Sequence, residues 1–230
     1  MRSFSSDPFL WIHLAGLAAL PLFLELCAIA LAIGDPLFPV GLEFLFVAAL
    51  GILPILWMQW SRPFYIFSIL VVAMKPAQLS PDRRVTLSLF QRPRNRAIAL
   101  LVPLLLLPAL WLLYRWAPVA TGIAAQFPQW RLLGLLLAAF AFLGCNLFLQ
   151  VPASVLGVML TDESTFAATP PLSPDQIRQK FTIVGLKVNR ILPDKEQPVE
   201  LASTESASPT VSPPAPDSLE TTPPETEASD

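Results

Sequence analysis

Two glutamate residues lie inside long apolar stretches of this sequence, where ionisable side chains are rare. Glu25 and Glu43 each stand nine residues from Gly34, in the turn of a predicted helical hairpin, so they should reach a similar depth in a membrane. A carboxylate within a bilayer is costly unless it is paired or protonated, and two neighbouring carboxyl groups can share a proton. The spacing therefore indicates a candidate proton or cation site.

The polar residues of the apolar stretches also have structural explanations. Asn146 and Gln150 lie four residues apart on one predicted helix, which favours hydrogen bonds to neighbouring helices over substrate binding. They are also available to hold Glu25 or Glu43, and a hydrated outer end of the hairpin would accommodate the two carboxylates as well. His13 could bind the metal of a pigment or relay a proton; alternatively, it lies at the membrane interface, hydrogen-bonded to a headgroup or a carbonyl.

The sequence contains no recognisable catalytic signature. It has one histidine and no HExxH, GxSxG, GxxxxGK[ST] or paired CxxC motif. Cys27 and Cys145 each lie in an apolar run, where a packing role is favoured over a disulfide or a redox site. We therefore predict a protein that is not an enzyme, with no metal or cofactor site. The charge pattern does not indicate nucleic-acid binding.

The composition indicates an integral membrane protein. Hydrophobic residues make up 54% of the chain and charged residues 14%, against roughly 25% charged residues in globular proteins. Four apolar stretches are long enough to cross the ~30 Å hydrocarbon layer, and the first is too long, with a carboxylate inside it, for a cleaved signal peptide. We predict an all-α fold with four transmembrane helices in two hairpins, forming a membrane domain over residues 1–160 with spans at residues 9–33, 37–60, 97–117 and 132–160.

A basic segment separates the two predicted hairpins. Residues 63–74 are apolar, but as a helix they would reach only about 17 Å, so we expect them to lie in the membrane interface or to enter and return. A basic loop follows at residues 75–96, where Ser80-Pro81-Asp82 predicts the start of a short helix. We expect the basic side chains to set the topology and to contact anionic lipids, or to form a docking surface for an acidic partner or the acidic tail: Arg62, Lys75, Arg83, Arg84, Arg92, Arg94 and Arg96.

The distribution of basic residues predicts the orientation. With four spans, the side opposite the termini holds only Arg115 and Arg131. The side of the termini holds thirteen basic residues, namely Arg2, the seven of the basic segment, and Arg178, Lys180, Lys187, Arg190 and Lys195. Because basic residues accumulate on the cytoplasmic side, we expect both termini in the cytosol.

The chain beyond the fourth span divides into two parts. Residues 161–192 are predicted to be a cytosolic juxtamembrane segment, with a capping box at Ser173 and Gln176 and a short helix or strand at residues 181–192. Residues 193–230 hold one basic and nine acidic residues and are rich in Pro, Ser and Thr. They contain too few apolar groups to offset the entropy of ordering, so we predict a disordered acidic tail.

Several strings of this sequence are specific enough to indicate a family: DPFLWIHLAGLAALPLFLELC, GDPLFP, ILPILWMQWSRPFYIFS, KPAQLS and PRNR. From about Ser6 to Leu192 the chain resembles the low-complexity tail membrane proteins of cyanobacteria. It implies an integral membrane protein of the thylakoid or plasma membrane. It carries over no reaction, cofactor or partner.

These features favour a non-enzymatic accessory protein that binds or helps to assemble a larger membrane complex. The alternative is a small proton- or cation-coupled transporter, or an oligomeric channel subunit, that uses Glu25 and Glu43. The expected partners are the lipid bilayer and either a larger membrane protein complex or further copies of the chain.

Overall fold

The computed structural model describes residues 4–69 and 71–192, so the predicted tail at residues 193–230 lies outside the described residues. In the described part the helices are, in chain order, α1 (Pro8–Ala15), α2 (Leu20–Leu31), α3 (Val40–Ser61), α4 (Pro81–Phe90), α5 (Pro93–Trp116), α6 (Thr121–Ala124), α7 (Arg131–Met159), α8 (Glu163–Ala167) and α9 (Pro174–Lys180). The strands described are β1 (Ser68–Ile69), β2 (Val72–Met74) and β3 (Leu186–Val188).

Four helical stretches of the described chain are long and apolar enough to cross a membrane, which confirms the predicted helical membrane fold; the prediction of an all-α chain did not include the small sheet described below. Three of them begin and end within three residues of the predicted spans. The third continues further on both sides because Pro93 starts α5 early and a turn links α5 to α6. The four stretches are Pro8–Leu31, Val40–Ser61, Pro93–Ala124 and Arg131–Met159.

The first stretch changes its helical type near its middle. A 3-10 turn at Gly16–Ala19 joins α1 to α2, just before Pro21. Proline has no N–H to donate and its ring crowds the carbonyl four residues earlier, so the backbone tightens at this point.

The central helix of the bundle is α7, which packs against α2, α3 and α5. Its small residues make this possible: Gly134, Ala138, Ala141 and Cys145 are all buried. A Cβ on Gly134 would lie 2.8 Å from the carbonyl oxygen of Ala30, so only glycine lets α2 approach this closely. The small-residue face therefore packs inside the bundle.

A cap, formed by residues 62–92 and 161–192, has a hydrophobic core that continues into the bundle. Tyr65, Ile66 and Phe67 are at most 1% exposed. They belong to the same core as Phe9 at the start of α1 and Val155 of α7. The described residues of the 63–74 segment therefore contain β1 and β2 and no helix, and Tyr65, Ile66 and Phe67 pack against protein.

The cap contains a small sheet in the order β1–β2–β3. β1 and β2 pair antiparallel, whereas β3 pairs parallel to β2, with Val72 opposite Leu186 and Met74 opposite Val188. The sequence left residues 181–192 open between helix and strand, and the structure selects a strand for part of them. Gly185 precedes β3 with φ +101°, a conformation that side chains disfavour.

Both short helices with a serine start are present in the cap. The Ser80 hydroxyl accepts a hydrogen bond from the N–H of Arg83, and α4 ends at Phe90. At the start of α9, Ser173 and Gln176 exchange both bonds of a capping box, at 3.2 and 3.0 Å. Local hydrogen-bonding chemistry therefore sets these two helix starts.

Candidate functional site

The most buried ionic group in the described chain is a pair between Glu43 and Arg131. Glu43 lies in the first turn of α3 and is 1% exposed; Arg131 begins α7 and is 7% exposed. The Nε of Arg131 donates to both carboxylate oxygens, at 3.1 and 3.0 Å, and one of its Nη atoms donates to Oε2. The N–H groups of Leu37 and Phe38 donate to Oε1 at 3.1 and 3.4 Å. Every donor around this carboxylate therefore favours its ionised form.

Arg131 also closes the end of α2. Its other Nη donates to the carbonyl oxygens of Leu31 and Ile33, at 2.6 and 3.1 Å. The last carbonyls of a helix have no intrahelical partner, and a guanidinium has enough donors to serve them and a carboxylate together. Gly34 turns the chain here with φ +69°, and its N–H donates to Gln129 at 3.1 Å. One side chain thus joins α2, the following turn, α3 and α7.

The structure does not bring Glu25 to Glu43. Glu25 lies on the outer face of α2 and is exposed, between Leu22 and Leu26, which are 57% and 46% exposed. Within the described residues it has no hydrogen bond or ion pair. Equal distance from a turn fixes depth but not direction, because each residue of a helix is rotated about 100° from the last. The two carboxylates therefore occupy different environments.

Gln150 of α7 replaces a backbone hydrogen bond that a proline removes. Pro103 has no N–H to donate to the carbonyl of Ala99, four residues earlier in α5. The side-chain amide of Gln150 donates to that carbonyl at 2.8 Å. In a membrane a free carbonyl is costly, so a proline in one helix is accommodated by an amide from the next.

Asn146, one turn earlier in α7, bonds to the backbone of a different helix, α3. Its amide donates to the carbonyl oxygens of Gly51 and Ile52, at 3.1 and 3.4 Å, just before Pro54 in α3. Asn146 and Gln150 are both fully buried, as expected for side chains that bond across helices. Neither of them contacts Glu25 or Glu43 through a hydrogen bond in the described part of the chain.

His13 is bonded locally. Its Nδ1 lies 2.8 Å from the carbonyl oxygen of Phe9, and its ring lies 5.7 Å from that of Phe64. Among residues 4–69 and 71–192, no group of three or more His, Cys, Asp or Glu side chains could hold a metal ion. The carbonyl contact is made by Nδ1, and the metal-binding and proton-relay alternatives for His13 stay predictions. Cys27 and Cys145 are buried free thiols.

Four arginines of the basic segment tie the cap together or to the bundle. Arg83 donates to Asp7 at 2.8 Å, and its guanidinium lies 5.5 Å from the ring of Phe9. Arg84 donates to the carbonyl oxygen of Leu79 at 3.0 Å. Arg92 bonds to Thr169 of the cap, and Arg94 bonds to Thr161 of the cap and to the carbonyl oxygen of Gly157 in α7.

The three remaining basic residues of the segment are exposed. Arg62 caps the end of α3, and Lys75 follows β2. Arg96 lies over the ring of Trp60, with 5.9 Å from its guanidinium carbon to the ring centroid. Arg96 lines a cleft of about 230 Å³ where α3, α5, α7 and α9 meet.

The sequence analysis missed the partner of Glu43 and the cleft beside Arg96. The sequence analysis used Arg131 only in the count of basic residues that predicts the orientation. Arg131 and Glu43 nevertheless carry opposite charges on the same side of the predicted membrane. That coincidence is the signal that could have paired them. The cleft is completed by Gln59 and Lys180, which lie 121 residues apart, and no local pattern brings them together.

Comparison with known proteins gives a family and no closer relative. The family model described as low-complexity tail membrane protein-like matches residues 6–193. No curated protein and no solved structure matches the chain.

Proposed function

We propose that this chain, which belongs to the low-complexity tail membrane protein-like family, is a non-enzymatic membrane protein that binds or helps to assemble a larger membrane complex. The observation that supports this proposal is the carboxylate of Glu25 on the outside of the helical bundle. A membrane protein with such a group on its surface gains stability from a neighbour that supplies a cation or a hydrogen-bond donor.

The position of Glu25 makes the argument quantitative. It lies six residues from the end of α2 at Leu31, which is about 9 Å at ~1.5 Å per residue. An ionised side chain costs about 2.5–3.5 kcal/mol at the centre of a membrane helix, and the cost falls towards the ends. A transmembrane segment of another protein that presents a basic or amide side chain to this face would remove that cost.

The polar groups inside the bundle support an architectural role for the membrane domain. Glu43 is occupied by Arg131, and Asn146 and Gln150 donate to backbone carbonyls of other helices. These contacts use the polar chemistry of the interior to hold the helices together. The surface of the bundle is then the part that is available to a partner.

We also propose that both termini are cytosolic, in the thylakoid or plasma membrane of a cyanobacterium. The basic count along the sequence supports this orientation, and the family resemblance supports the membrane. The acidic composition of residues 193–230 then suits a contact with a basic partner surface on the same side. Protease access to the two termini in sealed membrane fractions tests the orientation.

The experiment is native-gel analysis of a tagged full chain extracted with a gentle detergent, with mass spectrometry of the co-migrating proteins. We expect the wild type in an assembly larger than a monomer or homo-oligomer. The Glu25→Leu variant should no longer migrate with this assembly, although leucine inserts into a membrane at least as readily as glutamate. Asp35→Asn is the matched control, because it removes an exposed carboxylate from the turn outside α2.

Two outcomes would contradict the proposal. Migration of the wild type as a monomer or homo-oligomer would rule out the larger complex. If the assembly is unchanged in the Glu25→Leu variant, Glu25 is not part of its interface.

The second candidate is a proton- or cation-coupled transporter, or an oligomeric channel subunit, that uses Glu25 and Glu43. The outward direction of Glu25 favours the oligomeric form, because this carboxylate could line a pore only between copies of the chain. In that case the native gel shows a homo-oligomer, and Glu25→Gln abolishes flux into vesicles without lowering the protein level. Loss of the protein itself would indicate a structural role.

A further inference from the structure

We propose that the cleft beside Arg96 binds one anionic membrane lipid, with its headgroup at Arg96 and Lys180 and an acyl chain in the groove between α3 and α5. The proposal does not depend on whether the protein belongs to a larger complex or transports an ion. It rests on two adjoining cavities whose chemistry changes from cationic and polar to apolar.

The polar cavity suits an anionic headgroup. Among the residues that the structure describes, its basic lining side chains are Arg96 and Lys180, and none of the lining residues is acidic. Three of the neutral polar residues in the wall are each less than 9% exposed: Gln59, Asn95 and Ser154. Two cations with three neutral hydrogen-bonding side chains can neutralise and orient a phosphate or sulfate.

The apolar groove begins at the same tryptophan. Trp60 lines the polar cavity and also the groove of about 600 Å³, which runs beside Leu53, Pro54, Leu56, Trp57 and Leu100. The groove is open, since Trp57 and Leu53 are 76% and 59% exposed. From Trp60 to Leu53 the helix advances seven residues, or about 10 Å. Part of one acyl chain can therefore lie along the groove while its headgroup stays at the cations.

The position of Arg96 connects the two parts. Arg96 lies over the Trp60 ring, and Leu100 stands one helical turn further along α5. The order along α5 is thus cation, aromatic contact, apolar wall, which matches the order of headgroup and hydrocarbon in a lipid at the membrane interface. A soluble anion would use only the polar cavity, and a partner helix would use only the groove. An anionic lipid uses both.

The test is a titration of the purified full chain in detergent with phosphatidylglycerol brominated on its acyl chains. Bromine quenches tryptophan fluorescence on contact, and Trp57 and Trp60 line the groove. We expect saturable quenching, most of which is lost in Trp57→Phe/Trp60→Phe. Brominated phosphatidylcholine should bind much more weakly, and glycerol phosphate should not displace the lipid at equal concentration.

Two variants separate the site from general charge. Arg96→Gln/Lys180→Gln should weaken phosphatidylglycerol binding about 30-fold, as expected for two basic groups near a membrane surface. Lys75→Gln/Lys187→Gln removes two exposed charges of the cap outside the cleft and should bind as the wild type does. Leu100→Trp keeps the cations, fills the groove and should lower both affinity and quenching.

Each contrary result overturns the proposal. Equal binding of phosphatidylcholine, or equal weakening in the control variant, would mean that the cleft does not select an anionic lipid. Displacement by glycerol phosphate would mean a soluble anion. Unchanged binding in Leu100→Trp would mean that no acyl chain lies in the groove, which would leave it to a partner helix.

Discussion

Replacing Arg131 by glutamine should destabilise the membrane domain more than any other single change at its polar residues. The substitution leaves Glu43 at 1% exposure with only the N–H groups of Leu37 and Phe38 as partners. It also removes the donor to the carbonyl oxygens of Leu31 and Ile33. A buried charge then lacks its counter-charge, and the end of α2 loses its link to α7.

The size of the effect follows from these contacts. Removing one partner of a buried ion pair typically costs about 3–5 kcal/mol, because the remaining charge is uncompensated. Glu43→Gln should cost less, since Arg131 keeps its two carbonyl bonds and is more exposed than Glu43, at 7% against 1%. The double variant should cost less than the sum of the single ones, by about 1–3 kcal/mol, because no unpaired charge remains.

The assay is reversible unfolding of the purified chain in mixed micelles, with the denaturing detergent fraction as the variable. Arg115→Gln is the control, because it removes the exposed neighbouring arginine of the same membrane side. A cost below about 1 kcal/mol for Arg131→Gln, or strict additivity in the double variant, would refute the reasoning. The pair would then be hydrated and of little consequence for stability.

Three further predictions concern the backbone and the cap. Gln150→Leu should lower the free energy of unfolding by about 1–2 kcal/mol, because the carbonyl of Ala99 loses its donor. The loss should be smaller in a Pro103→Ala background, where the N–H of residue 103 can donate to that carbonyl. Equal losses in both backgrounds would contradict this role of Gln150. Gly34→Ala should cost at least about 1 kcal/mol because of its φ of +69°, whereas Gly41→Ala, with open space around it, should be neutral or stabilising; the same assay compares them. Burial raises the pKa of Tyr65 above the ordinary tyrosine value near 10. The contribution of the neutral side chain to the free energy of unfolding is therefore complete below about pH 10 and is lost as the pH rises above that value, because the unfolded chain then releases the proton first. Unfolding curves between pH 8 and about 11 should therefore show a decline that Tyr65→Phe reduces, and an identical decline in that variant would exclude Tyr65 as its source.

Much of the secondary structure could be predicted because its causes are local. A run of apolar residues long enough to cross a bilayer forms a helix whatever its neighbours are, since backbone groups in lipid must bond within the segment. The serine starts of α4 and α9 depend on residues within one turn. The length of residues 63–74 indicated that they do not cross the membrane as a helix. Their strands could not be predicted in the same way, because β2 pairs with β3, which is distant in sequence.

The candidate site was less predictable, since the direction of a side chain depends on helix rotation and packing. Glu25 and Glu43 share a depth, yet Glu43 faces Arg131, 88 residues away, and Glu25 faces outward. Likewise, the sequence indicated that Gln150 bonds to another helix, but only the packing of α7 against α5 identifies the carbonyl freed by Pro103 as its acceptor.

The sequence by itself determined the membrane class, the four spans and the local helix starts, because hydrophobic length and capping act over a few residues. Tertiary structure decided which polar groups meet. Pairing charges and lining a cleft require helices that are far apart in the chain to present particular faces to each other, and that choice is made by the close packing of small residues along α7.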